Sequence, residues 1–286
     1  MTLKRVLDFA HLLFAGLYLV FVLFGKWAKG EPDEGVFSAD GGAGFGIIAV
    51  VLGIALVVLA LMRIIGRTQV LPGLGVEQLT VALGLAATLN LIGFIVGWLA
   101  IEPFSAGTGW GVVAAYFPAS FIPQVGLLTL SATEPDTGVK PLGDGQRRTL
   151  SLVAVLAGAG VALFPYLTWM SSGPVSLAGF DEGAGDNISG PRLAYILLVV
   201  GAVVFIAGLM RLRPEGLTEP GPNLLLSHAL FGVGMVAFVL PLSTLITVFQ
   251  TDGLDPGIGL WLGLLAGLVM LVVAVAENRQ RGSAGA

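Results

Sequence analysis

The chain alternates long apolar runs with short polar segments. Eight runs are long enough for a helix to cross a hydrocarbon core about 30 Å thick, which takes about 20 residues. The middle of every run lacks Asp, Glu, Lys and Arg. The pattern therefore predicts an all-α integral membrane protein with eight transmembrane helices. The predicted spans are Val6–Phe24, Phe45–Met62, Leu79–Ile101, Trp110–Leu130, Leu150–Met170, Leu193–Met210, Leu224–Phe249 and Ile258–Ala276.

The second half of the chain repeats features of the first half in the same order, which predicts an internal duplication. Because each repeat holds four spans, the two repeats are predicted to be parallel, with the same orientation in the membrane. The predicted units are a first four-helix repeat over residues 1–131, a cytoplasmic linker over 132–149, and a second repeat with a short C-terminal tail over 150–286. The matched positions are Trp27 with Trp169, Pro32 with Pro174, Asp40 with Asp181, Leu61-Met62-Arg63 with Leu209-Met210-Arg211, Pro72-Gly73 with Pro220-Gly221, Gly109 with Gly257, and Gly111 with Gly259.

The distribution of basic residues predicts the orientation. An even number of spans places both termini on one side, and most Lys and Arg residues fall on that side. Only Lys26, Lys29 and Arg192 fall on the other side, where acidic residues predominate. By the positive-inside rule, the N and C termini are cytoplasmic, and we expect a multi-pass protein of the plasma membrane with an acidic outer surface.

Composition excludes several function classes. With 56% hydrophobic and 11% charged residues, the main partner of the chain is the lipid bilayer. The absence of cysteine excludes disulfides and thiolate chemistry. No hydrolase, phosphate-loop, zinc-protease or dinucleotide motif occurs, so we expect no enzyme, no catalytic residue, no cofactor and no metal site. The basic residues are scattered beside acids, which argues against nucleic-acid binding.

Three ionisable residues lie near the ends of the spans. His11 and His228 each lie about 8 to 9 Å into the bilayer at 1.5 Å per helical residue, and neither has a histidine at its matched position. One hypothesis is a bis-imidazole haem or metal site, with Asp8 supporting His11. The alternative is that each histidine bonds a neighbouring polar group and that Asp8 lies at the headgroup level beside Arg5.

Polar side chains at similar or greater depth define a second hypothesis. Asp8, Thr80, Asn90, Gln124 and Ser227 would line a polar vestibule open to the cytoplasm. The alternative is that each side chain bonds a nearby carbonyl group and only supports packing.

Small residues recur every fourth position on one face of the fourth and eighth spans. Such faces let helix backbones approach closely, so we expect tight contacts and a seam between these two equivalent spans. Ordinary packing inside the bundle and self-association of two chains are the alternatives. The residues are Gly111, Ala115 and Ala119 in the fourth span and Gly259, Gly263 and Gly267 in the eighth.

The outer loops and the outer ends of the spans carry two further patterns. Asp40 and Asp181 each begin an Asp-x-Gly-Ala-Gly sequence, which predicts a turn or the start of the next helix, or alternatively a site for a cation or a basic partner. Aromatic residues, including Trp27, Trp110 and Trp169, are expected to form an interfacial belt.

Two functions remain open on these grounds. The first is a scaffold or accessory subunit of a membrane or cell-envelope assembly, because the loops are short and no catalytic machinery is recognisable. Its partners would be other membrane proteins or further copies of the chain, joined through small-residue helix faces. The alternative is a small-solute transporter or channel with a polar path between the repeats, which would use Asn90, Gln124, His11 and His228.

Overall fold

The computed structural model describes residues 3–27, 35–37, 43–71, 74–99, 109–132, 142–181, 183–184, 188–189, 192–213 and 226–282. Within these residues, eight helices are long and apolar enough to cross a membrane, as the hydropathy pattern predicts. The chain is thus a polytopic membrane protein. The helices are α1 (Leu3–Phe24), α2 (Ala43–Ile64), α3 (Val76–Leu99), α4 (Trp110–Ala132), α5 (Asp144–Leu163), α6 (Ala194–Arg211), α7 (Leu226–Gln250) and α8 (Ile258–Gly282).

The helices pack as two groups of four. In the first group, α1 and α3 each pack against both α2 and α4, which closes a ring. In the second group, α5 packs against α6 and α8, and α7 packs against α8 and more lightly against α6. The groups meet where α7 packs against α3 and α2. One continuous apolar core runs through both groups, with Leu56, Leu91 and Leu240 among its fully buried side chains.

Short strands lie in the connections between the helices. The strands are β1 (Gln69–Leu71), β2 (Leu74–Gly75), β3 (Thr168–Ser172), β4 (Val175–Ala178), β5 (Gly183–Ala184), β6 (Ile188–Ser189) and β7 (Asp255–Pro256). β3 is the central strand of a three-stranded sheet with the order β4-β3-β7, and the other described strands form two antiparallel pairs, β1 with β2 and β5 with β6.

The fifth helix differs from its predicted span of Leu150–Met170. It begins at Asp144, inside the predicted linker, and ends at Leu163. Pro165 then lies in a 3-10 turn over Phe164–Tyr166. Because proline has no backbone N–H to continue the helical ladder, the chain leaves the helix here and enters the hairpin of β3 and β4. Gly173, in the turn of that hairpin, has a φ of 55°, a conformation that favours glycine.

Two tryptophans are buried where the first helix of each group ends. The indole nitrogen of Trp27 donates to the Val22 carbonyl, and that of Trp169 donates to the Phe164 carbonyl. Both side chains belong to fully buried residues. Their predicted place in an interfacial belt is therefore wrong, since a residue with no exposed surface cannot contact lipid headgroups. Trp110, in contrast, is 52% exposed.

The carbonyl of each buried tryptophan accepts a backbone hydrogen bond from a glycine. Gly109 donates to Trp27 and Gly257 donates to Trp169, both at 2.8 Å. We call the end of the bundle that holds Trp27 and Trp169 the loop end. The opposite end, where α1 begins and α8 ends, is the terminal end. The bonds tie the first and last helices of each group together at the loop end.

Candidate functional site

A buried ion pair joins α1 and α2 at the terminal end. Arg63 Nε lies 2.7 Å from Asp8 Oδ1, and the side chains are 2% and 13% exposed. Arg63 Nη2 donates a hydrogen bond to the Thr129 hydroxyl on α4, and that hydroxyl donates to the Val125 carbonyl at 2.8 Å. Arg63 thus holds three helices of the first group.

The second group contains a buried arginine at the matched position. Arg211 Nη1 donates to Glu277 Oε2 at 3.0 Å, and Arg211 Nη2 donates to Glu277 Oε1 at 2.7 Å. This two-bond arrangement is the strongest geometry for a guanidinium and a carboxylate. Thr129 and Glu277 each follow their arginine by 66 positions. Both arginines therefore reach the same place on the last helix of their group.

Further buried polar groups lie near Glu277. Gly234 on α7 faces Leu271 on the antiparallel helix α8. Two helical turns from this contact towards the terminal end, Ser227 on α7 lies at the same level as Asn278 on α8. Both residues are buried, and neither the Ser227 hydroxyl nor the Asn278 amide has a hydrogen-bond partner among the described residues. The terminal end of the second group is thus polar inside, as is that of the first.

The partners of these charges differ from the sequence-based interpretation. Asp8 is paired with Arg63 and not with Arg5, because Arg63 extends from α2 into the space between the helices. The positive-inside pattern uses Arg63 and Arg211 only as indicators of orientation, and Glu277 lies one residue beyond the predicted end of the eighth span. The recurrence of Leu-Met-Arg in both halves was the available signal, but it does not say which way the guanidinium points.

The two histidines lie on helices with different neighbours. His11 is fully buried on α1, which packs mainly against α2 and α4, while the 8%-exposed His228 lies on α7, which packs mainly against α8 and α3. Within the part of the chain that the structure describes, no group of three His, Cys, Asp or Glu residues could hold a metal ion. The haem or metal hypothesis thus gains no support from these contacts.

The residues of the predicted vestibule lie in separate environments. The Thr80 hydroxyl donates to the Val76 carbonyl of its own helix. Gln124 is exposed on α4 and donates to the Ser120 carbonyl. Asp8 pairs with Arg63 on α2, and Ser227 is buried on α7. Among these four residues, Thr80 and Gln124 bond a carbonyl group, as the packing alternative expects, whereas Asp8 and Ser227 do not.

Asn90 occupies a junction between the two groups of helices. Its Nδ2 donates to the Phe45 carbonyl on α2 at 2.9 Å, and its Oδ1 accepts from the Ser243 hydroxyl on α7 at 2.7 Å. Nearby, the Gly44 amide donates to the Thr247 hydroxyl at 3.1 Å. Asn90 and Ser243 are fully buried. One amide side chain therefore connects α2, α3 and α7.

The small-residue faces of α4 and α8 pack inside their own groups. Gly111 lies against the backbone of Gly25, and Gly267 lies against the backbone of Ala237 on α7. Gly259 lies against the Phe164 carbonyl, while Ala115 and Ala119 are fully buried. The expected seam between α4 and α8 is therefore not where the halves meet. The halves meet at α7, where it packs against α3 and α2.

Gly263 and Gly267 on α8 are predicted to differ in their tolerance of a side chain. A methyl group at Gly267 would lie 2.6 Å from the Ala237 carbonyl oxygen, whereas one at Gly263 would lie 3.7 Å from its nearest neighbour. We expect Gly267→Ala to lower the melting temperature in detergent, because backbone atoms cannot move aside as a flexible side chain can. Gly263→Ala is the matched control and should leave it unchanged or raise it, since alanine favours helix by about 1 kcal/mol. Equal melting temperatures for the two variants would contradict this packing.

The turn at Asp181 is described, while Asp40 lies outside the described residues. Asp181 Oδ2 accepts from the Ala178 amide at 2.7 Å, and the Asp181 amide donates back to the Ala178 carbonyl. This carboxylate therefore supports a turn after β4, one of the two roles expected for it.

No protein-family model, curated protein or solved structure matches the chain.

Proposed function

We propose that the chain is a non-enzymatic scaffold or accessory subunit of a membrane or cell-envelope assembly. We further propose that it lies in the plasma membrane with cytoplasmic termini, and that its partners are other membrane proteins or further copies of itself. The observation that carries the proposal is the Asn90 junction, where direct hydrogen bonds fasten the two groups of helices together.

The junction matters because a carrier built from two halves opens and closes between them. Here that boundary is filled. Leu240 on α7 is fully buried, and a methyl group at Gly93 on α3 would lie 2.9 Å from its side chain. Asn90 and Ser243 satisfy each other directly at the same boundary. A closed, bonded interface suits a protein that holds its shape while it binds others.

We infer that the two groups are duplicated copies in the same orientation. Matched positions make the same contacts, such as Gly109 with Trp27 and Gly257 with Trp169. Ala82 near the start of α3 faces Gly232 near the start of α7. Further along both helices, Asn90 bonds Ser243. Helices α3 and α7, which occupy equivalent positions in the two groups, therefore run in parallel. This direction is what a rotation axis along the membrane normal would produce.

The alternative is a small-solute transporter or channel, and one observation favours it. Several buried polar atoms at the terminal end, including those of His11 and Asn278, have no hydrogen-bond partner among the described residues. Buried polar groups normally have partners, and a path for polar solutes would supply them.

Purification in mild detergent or in native lipid discs tests the scaffold proposal. We expect the tagged chain to co-purify with another membrane protein, or with further copies of itself, at a fixed ratio that persists through size-exclusion chromatography. A chain that always migrates as a single copy without partners would contradict the proposal.

Thiol labelling separates the scaffold from the carrier without a known substrate. The natural chain contains no cysteine, so a single introduced thiol gives an unambiguous signal. We expect Leu240→Cys in membrane vesicles to resist a water-soluble maleimide applied from either side, because residue 240 is fully buried between the two groups. The exposed Thr251→Cys at the loop end is the matched control and should react. Ready labelling of Leu240→Cys would favour the carrier.

A further inference from the structure

The two matched arginines are not equally satisfied. Both terminal nitrogens of Arg211 bond the Glu277 carboxylate. In the first group, Thr129 takes the place of that glutamate and accepts from only one terminal nitrogen of Arg63. Arg63 Nη1 has no hydrogen-bond partner among the described residues, although the side chain is 2% exposed. A hydroxyl thus stands where the second group uses a carboxylate.

A second unsatisfied group lies one helical turn along α1 from Asp8, the aspartate that pairs with Arg63. This group is His11, which is fully buried. Neither of its ring nitrogens has a hydrogen-bond partner in the described part of the chain. Leaving buried polar atoms unpaired is unfavourable, because they lose hydrogen bonds to water without gaining others. An acceptor placed between Arg63 Nη1 and the His11 ring would satisfy both residues.

We propose that this place in the first group binds a small carboxylate, such as formate or acetate. The second group supplies the reason, because there Glu277 provides the same chemical group to the matched arginine. A planar guanidinium binds a carboxylate through paired hydrogen bonds. Because Arg63 and His11 are both buried, we expect only a molecule of a few atoms to fit between them.

Charge balance adds a condition to the binding. Asp8 on α1 already neutralises Arg63 on α2, and α4 contributes only the uncharged Thr129 beside them. An added carboxylate therefore brings one uncompensated negative charge into a buried place, which is unfavourable in a low dielectric. A proton taken up by His11 balances it and gives the ring a second N–H donor. The carboxylate and the proton bind together, so binding is tighter at lower pH.

The test uses the full chain in lipid discs, labelled with ¹⁵N-histidine. Only two histidines are present, and a His228→Gln variant assigns their signals. Sodium acetate is titrated against sodium chloride at equal ionic strength. We expect acetate to shift the His11 signal towards the protonated form in a saturable way, with binding about tenfold tighter at about pH 5.5 than at about pH 7.5. No acetate-specific shift at either pH would overturn the proposal.

Thr129→Glu is the sharpest variant, because it gives the first group the carboxylate of the second. We expect it to abolish the response to acetate, because its own carboxylate fills the place, while the uncharged Thr129→Gln retains part of that response. If Thr129→Glu fails to fold, Arg63→Gln is measured with the same ¹⁵N-histidine signal. We expect this variant to bind acetate about tenfold more weakly. An acetate response in Thr129→Glu or Arg63→Gln that equals that of the natural chain would also overturn the proposal.

Discussion

Glu277→Ala is expected to remove about 3–5 kcal/mol from the free energy of unfolding, because it leaves the buried Arg211 guanidinium without its carboxylate. Both side chains are almost completely buried, and both terminal nitrogens of the arginine depend on this one partner. The total free energy of unfolding of a folded protein is about 5–15 kcal/mol, so the expected loss is a large share of it. The melting temperature and the monodisperse fraction in detergent measure the effect.

Two companion variants show whether the effect belongs to the ion pair. Arg279→Ala lies two residues further along α8 at an exposed position, and it should leave the melting temperature within a degree or two of the natural chain. Replacing both members, as Arg211→Met with Glu277→Met, should recover much of the loss, since a buried pair exchanged for apolar residues is often neutral. A Glu277→Ala protein as stable as Arg279→Ala would refute the assigned role.

Gly111→Ala is expected to weaken the contact between α1 and α4 by about 1–3 kcal/mol or more, the range for overpacking a filled site. A methyl group at Gly111 would lie 2.4 Å from the Gly25 Cα atom. The obstacle is backbone, so the two helix ends must move apart. That movement would also break the hydrogen bond from the Gly111 amide to the Lys26 carbonyl.

Gly16→Ala on α1 is the matched control, because no atom lies within 4 Å of a methyl group placed there. Alanine has the higher helix propensity, so this variant should keep or slightly raise the melting temperature. The comparison is made by thermal unfolding in the same detergent. Equal melting temperatures for the two variants would mean that α1 and α4 do not meet at these glycines.

The sequence was sufficient to predict the eight helices because lipid imposes a minimum apolar length on every crossing. Most predicted boundaries lie within a few residues of the observed ones. The eighth helix continues six residues past Ala276 to Gly282. The fifth helix differs most, since the apolar run through Phe164 continues past Pro165 into a strand. Hydropathy records how apolar a segment is, and it does not record where the backbone leaves the helix.

The polar interior could not be predicted in the same way. Asn90 bonds Phe45 and Ser243, and the residues of the second bond are 153 positions apart in the chain. Such partners depend on helix packing that a single sequence does not specify. Arg63 and Arg211 show the difficulty most clearly. Each arginine marks the end of a span in the sequence, but its guanidinium group is buried between helices. Leu-Met-Arg recurs in both halves of the chain, which identifies the positions of these arginines and not the residues they contact.

The two arginines also meet their acids at different moments of synthesis. Asp8 precedes Arg63, so the first helical hairpin brings its own counter-charge into the membrane. Glu277 lies on α8, so Arg211 waits through the insertion of α7 before a carboxylate arrives. Until α8 inserts, Arg211 lacks Glu277, and its place at the last residue of α6 lets its guanidinium reach the membrane surface instead. Insertion of α8 therefore completes the ion pairing inside the second group.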